Sequence, residues 1–147
     1  MADPLAISTA IITFAGAAIK ITSEITDIIH GVKSADQDLL ALNAEVKDLE
    51  SILRNLTRLH SSIKRIDPTR FKDAGFAPDT LKSTQQDLAA LKITLLAIEK
   101  RANGSRVQRW KARYEFSQRK RPTITTFIAR IQTSKSSLTL ALAVFHA

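Results

Sequence analysis

The chain has 147 residues, of which 44% are hydrophobic and 24% charged, with four Gly, four Pro and no Cys. That is one domain's worth of sequence, apolar enough to bury a core and too apolar for a disordered chain; the lack of Cys excludes disulfides, thiolate metal sites and cysteine nucleophiles and favours an intracellular home. A net charge of +8 calls for an acidic counterpart, which is nucleic acid, anionic lipid or an acidic protein.

The first element is the most telling. Asp3 reads as a helix N-cap and Pro4 as a first-turn residue, where a missing N–H costs nothing. Ile7, Ile11, Phe14, Ala18, Ile21, Ile25 and Ile28 then repeat at spacings of four and three, one continuous helix face. Leu5, Ile12 and Ile19 fall far round from that stripe, and Ala6, Ala10, Thr13 and Ala17 form a further side of small residues. No charge appears over 4–19; Lys20, Glu24 and Asp27 mark where the helix turns polar. A helix apolar on two sides is either surrounded by others or destined for a membrane. About 15 residues at ~1.5 Å each cover roughly 23 Å, short of the roughly 30 Å hydrocarbon core, so a constitutive transmembrane span is not expected. Asp3 also stands where a secretory signal needs Lys or Arg.

Gly31 breaks the chain, and Ser34 can cap a second helix over about 35–66, with Asp36 and Asp38 in its first turn. Leu39, Leu42, Val46, Leu49, Leu53, Leu56, His60 and Ile63 hold a heptad-like stripe along it, while Leu40 and Leu59 read as extra surface leucines. Asp67-Pro68 ends it, since Pro disfavours helical backbone in the residue before it. Residues 68–78 read as a loop. Asp79 caps a third helix over about 80–102, with Leu81, Leu88, Leu91, Leu95 and Ile98 on one face, and Asn103-Gly104 closes it. A short basic helix is expected over about 106–117, with Val107, Trp110 and Tyr114 on one side. Pro122 opens the last, over about 123–146, with Ile124, Phe127, Ile128, Ile131, Leu138, Leu142 and Phe145 inward. No strand-like alternation competes. The expected fold is all-α, a single domain over 1–147 built as an antiparallel bundle of four long helices plus one short basic helix. The chain stops while its pattern is still apolar, as a domain taken from a longer protein would.

Two segments carry candidate chemistry. The first helix offers Leu5, Ile7, Ile11, Ile12, Phe14 and Ile19 for membrane insertion; the Ile7–Ile11–Phe14 side reads as bundle core, and the Leu5, Ile12 and Ile19 strip is what points to lipid. The basic segment offers Lys100, Arg101, Arg106, Arg109, Lys111, Arg113, Arg119, Lys120 and Arg121 for anionic lipid, against only Glu99 and Glu115. Each cation near a charged leaflet is worth on the order of 1 kcal/mol. A solvated face and nucleic acid are the rival readings, and Trp110 with Tyr114 is either an interfacial belt or a packing ridge. A second basic group, Arg58, Lys64, Arg65, Arg70 and Lys72, is explained by complementing the end of the second helix. His30, His60 and His146 lack metal spacing, and no nucleophile elbow or phosphate-binding glycine loop is present, so neither a catalytic residue, a metal nor a cofactor is expected.

The start Met1-Ala2-Asp3-Pro4-Leu5-Ala6-Ile7, followed by a small-residue helix, resembles the HeLo-like domain at the N-terminus of fungal STAND receptors and cell-death effectors. Trp110 in a basic helix and the closing Lys135-Ser136-Ser137-Leu138-Thr139-Leu140-Ala141-Leu142 extend the resemblance over the whole chain. It implies a helical bundle similar to the N-terminal domain of the animal necroptosis executioner pseudokinase. It further implies a membrane-permeabilising role in programmed cell death, cytoplasmic at rest and at the plasma membrane once activated by self-assembly. Family members answer to an NLR-type receptor, often through a C-terminal amyloid motif, and no such motif is found in this sequence. The alternatives are an interaction module of a STAND receptor that never touches lipid, and a basic nucleic-acid binder for which no recognised motif speaks.

Overall fold

The computed structural model describes the backbone of residues 4–32, 37–66, 77–102 and 121–146, and the side chains of 9–32, 37–62, 79–100 and 123–143. Four helices fill these ranges: α1, Pro4–Gly31; α2, Gln37–Ile66; α3, Ala77–Ala102; and α4, Arg121–His146. Among the described residues there is no strand. The expected short helix over 106–117, the Ser34 cap, Trp110 and Tyr114 lie outside the described residues. One boundary differs from expectation: α3 starts at Ala77, so Asp79 sits in its first turn instead of capping it, favourable there against the helix dipole. Pro78 thereby takes a first-turn position, where its missing N–H is harmless.

α2 buries the face its leucines announce, with Leu42, Val46, Leu49, Leu53, Leu56 and His60 fully enclosed. α3 contributes Leu81, Leu88, Leu91, Leu95 and Ile98, and α4 contributes Ile124, Phe127, Ile131, Leu138 and Ala141. Each enclosed leucine is worth about 1.5–3 kcal/mol relative to exposure. α1 is turned from the expected stripe by about one residue. Its buried line runs Ile11, Ala15, Ala18, Thr22, Ile25 and Ile29, with Phe14 and Ile21 at the margin. The cause is steric: α1 packs against both α2 and α3, and the small Ala15, Ala18 and Thr22 let it sit deep between them.

Side-chain contacts fix the directions. Glu24 pairs with Lys92, and Glu99 Oε2 lies 3.2 Å from the Cβ position of Gly31, so α1 and α3 run parallel as neighbours. Arg130 reaches Asp87 at 3.5 Å and Thr84 reaches Ser134 at 3.0 Å, so α3 and α4 run opposite ways. α1 and α2 are antiparallel, with the Thr22 hydroxyl 3.4 Å from the Glu50 carboxylate. α4 packs on α2 and α3, whereas α1 and α4 stand diagonally, as do α2 and α3. Successive helices therefore alternate in direction, as an antiparallel bundle requires. The diagonal step from α2 to α3 nevertheless makes α1/α3 and α2/α4 parallel neighbours.

Candidate functional site

The N-terminal half of α1 is joined to the bundle differently from its C-terminal half. Over 9–20 no described side chain makes a hydrogen bond or ion pair to another described helix. Ile11, Ala15 and Ala18 are buried, Phe14 and Ile19 are half-buried, and Ile12 is 41% exposed beside exposed Thr9, Thr13 and Gly16. At Gly16 a Cβ would meet nothing within 4 Å among the described residues, so none of them requires a glycine there. Polar ties begin one turn later, at Thr22 and Glu24. The Thr22 hydroxyl donates to the Ile19 carbonyl at 2.7 Å and faces Glu50, while Lys92 donates to Glu24. The hydrogen bond from Lys92 holds the Glu24 carboxyl below its ordinary range, helped by the nearby charge of Lys20.

Across the bundle, Lys135 on α4 donates to Glu45 at 2.8 Å and Asp48 at 3.3 Å on α2. Those bonds, Glu45 first, raise the Lys135 ammonium above the usual lysine value against a smaller opposing effect of burial. Each of the four helix seams thus carries a polar clasp near its middle. The Asn43 Oδ1 acceptor is buried without a hydrogen-bond partner among the described residues. His60 is enclosed on the α2 stripe and His30 is exposed. Among the described residues no group of three metal-ligating side chains converges.

The two segments singled out in the sequence are not brought together. Lys100, exposed, stands at the end of α3, directly after Glu99, which lies against Gly31 at the end of α1. From Gly31 back to Thr9 the helix rises about 33 Å. The exposed Ile12 and the start of the basic segment therefore belong to opposite ends of the bundle. The side chains of Leu5, Ile7, Arg101, Arg106, Arg109, Lys111, Arg113, Arg119, Lys120 and Arg121 lie outside the described residues. Leu40 is exposed as expected, but Leu59 is half-buried against the core and is no surface leucine. One feature escaped the sequence reading: the outer face of α3 presents Ala90, Ile93, Leu96 and Ala97, with Ile93 70% exposed. The signal was there, since Lys92 is the sole charge over 88–98. Among the described residues, no helix is long and apolar enough to cross a membrane.

This chain, whose described elements are all helices, matches the sequence model described as "Pigment biosynthesis cluster protein PigL N-terminal" over residues 2–145. The chain belongs to the PigL N-terminal family. That description names a position in a protein and neither a reaction nor a ligand. No curated protein and no solved structure matches this PigL N-terminal domain.

Proposed function

We propose that this PigL N-terminal domain is a membrane-permeabilising effector module of the HeLo-like kind, resting as a bundle and inserting α1 when several copies assemble on an anionic membrane. The observation that carries the reading is the N-terminal half of α1. It is uncharged, held by apolar contacts alone among the described side chains, and already shows Ile12 and the open Gly16 side to solvent. Detaching it breaks no inter-helix polar bond among the described side chains, so its release costs only buried apolar area. Insertion of one copy would leave a span too short for the bilayer and draw Lys20, at the near interface where the rest of the bundle remains, toward the hydrocarbon. Assembly, local thinning and snorkelling of Lys20 offset those costs. On this reading the domain is cytoplasmic at rest and reaches the plasma membrane under an upstream STAND-type receptor or amyloid partner. It requires no cofactor and performs no catalysis.

Dye release from liposomes tests this directly. The chain is expected to leak vesicles containing anionic lipid, and Ile12→Lys and Phe14→Glu, or removal of the first twenty or so residues, to abolish the leak. A charge at the bilayer centre costs at least about 2.5 kcal/mol, enough to stop insertion. Leakage that survives all three changes would overturn the reading. A second reading is an interaction module that signals through helix contacts without lipid, favoured by Ile93 and Leu96 on the outer face of α3. Self-association without leakage would select it.

A further inference from the structure

Charge is sorted along α2, although α3 sets Asp79 and Asp87 against Lys82 at the end where α2 is cationic. Residues 37–50 of α2 carry Asp38, Glu45, Asp48 and Glu50 against Lys47 alone, whereas 51–66 carry Arg54, Arg58, Lys64 and Arg65 and no carboxylate. α4 has no carboxylate anywhere along its length. Because α1 and α2 are antiparallel and meet at Thr22–Glu50, Arg58 lies about 12 Å further along α2, level with the Phe14 region of α1. The cationic end of α2 is thus the end that carries the uncharged half of α1. The segment that looked most lipid-attracting in sequence, starting at Lys100, leaves from the opposite and more acidic end, beside Asp27 and Glu99.

At this cationic end the parallel pair α2/α4 leaves a groove of about 290 Å³, lined by Asn55, Arg58, Leu59, Ser62 and Leu142. Leu59 and Leu142 form a half-buried apolar floor, and exposed Asn55, Arg58 and Ser62 form the rim. The Ser62 hydroxyl is engaged with the Arg58 carbonyl at 3.2 Å. The Arg58 guanidinium has no carboxylate partner among the described residues; Arg54, one turn earlier, has Glu50 at 3.5 Å. A guanidinium fork and an amide over an apolar floor match a phosphate ester with a short apolar stem. The groove is open to solvent and offers its apolar floor and charged rim to one surface group of headgroup size.

We propose that this groove holds the phosphodiester headgroup of an anionic glycerolipid, so that the domain meets a bilayer with the end bearing Arg58 and the N-terminal half of α1. This rests on the membrane reading above and deepens it by naming the contact. The helix C-termini at this end disfavour anions, but that field fades within the last turn, and Arg58 lies two turns before Ile66.

The test compares co-sedimentation with equimolar phosphatidylcholine–phosphatidylserine vesicles and with phosphatidylcholine alone, for the unchanged chain, Arg58→Glu and Lys100→Glu. Arg58→Glu is expected to lower partitioning onto the anionic vesicles by roughly tenfold or more, and Lys100→Glu to leave it within about twofold. Circular dichroism melts of both variants keep misfolding out of the comparison. Soluble dihexanoyl phosphatidylserine should shift the methyl resonances of Leu59 and Leu142, whereas inorganic phosphate alone should not. Anionic binding by Arg58→Glu equal to that of the unchanged chain would overturn the headgroup site, and dye release would then still decide the effector reading. Binding lost in Arg58→Glu, with no leakage from the unchanged chain, would sink the effector and keep the site. No binding by the unchanged chain would end both.

Discussion

At the scale of single residues, the bundle is closed by a few polar contacts whose cost and benefit can be separated. Asn43 is a liability: its buried acceptor has no partner among the described residues, which costs about 1–3 kcal/mol. Asn43→Leu, which removes that acceptor and extends the Leu42–Val46 surface, is expected to raise unfolding stability by about 1 kcal/mol, read from urea melts. Glu24 works the other way. Its carboxyl is lowered, chiefly by the hydrogen bond from Lys92, so its contribution is complete above the ordinary carboxylate value of about 4.3 and fades as pH falls through the lower folded value. Thermal melts of the unchanged chain and Glu24→Gln should therefore differ at pH 7 and converge toward about pH 2. A gap of constant size would mean that Glu24 stabilises by packing and not by charge. Lys135, being raised, behaves oppositely and keeps its contribution until pH climbs above the ordinary lysine range.

At the scale of the helices, the leucine stripe of α2 was legible because one residue type at heptad spacing leaves a single choice of face. α1 was less so. Phe14 and Ile21 look like core and sit at its margin, while Ala15, Ala18 and Thr22 look indifferent and are fully enclosed. Hydropathy ranks side chains by transfer energy, whereas the depth of α1 between two neighbours is set by how little space its side chains need. Gly16 illustrates the same limit. In a helix interior it costs roughly 0.5–1 kcal/mol relative to Ala, and none of the described residues stands within 4 Å to demand it. Gly16→Ala is expected to stabilise the resting domain by about that amount. If the open side serves close approach between inserted copies, the same variant should also leak vesicles more slowly at equal binding. The outer face of α3 is less legible for a simpler reason: Leu88, Leu91, Leu95 and Ile98 already complete one inward face, and nothing in the spacing singles out Ile93 and Leu96.

At the scale of the molecule, periodicity tells which face each helix buries and is silent on which helix it meets. Nothing in the spacing of leucines placed α3 beside α1 or put the two candidate segments at opposite ends. That arrangement also bears on how the domain is made. The partner that covers the second flank of α1 is 68 residues further along the chain, as Glu24 and Lys92 show. On a ribosome adding roughly 5–20 residues per second, α1 and α2 emerge well before it. For roughly 3–14 s every nascent copy holds its most lipophilic helix at most half-wrapped, in the presence of whatever membranes and chaperones are near. On the effector reading proposed above, a cell that synthesises this domain must tolerate, in each round of translation, a brief interval in which it is incompletely disarmed.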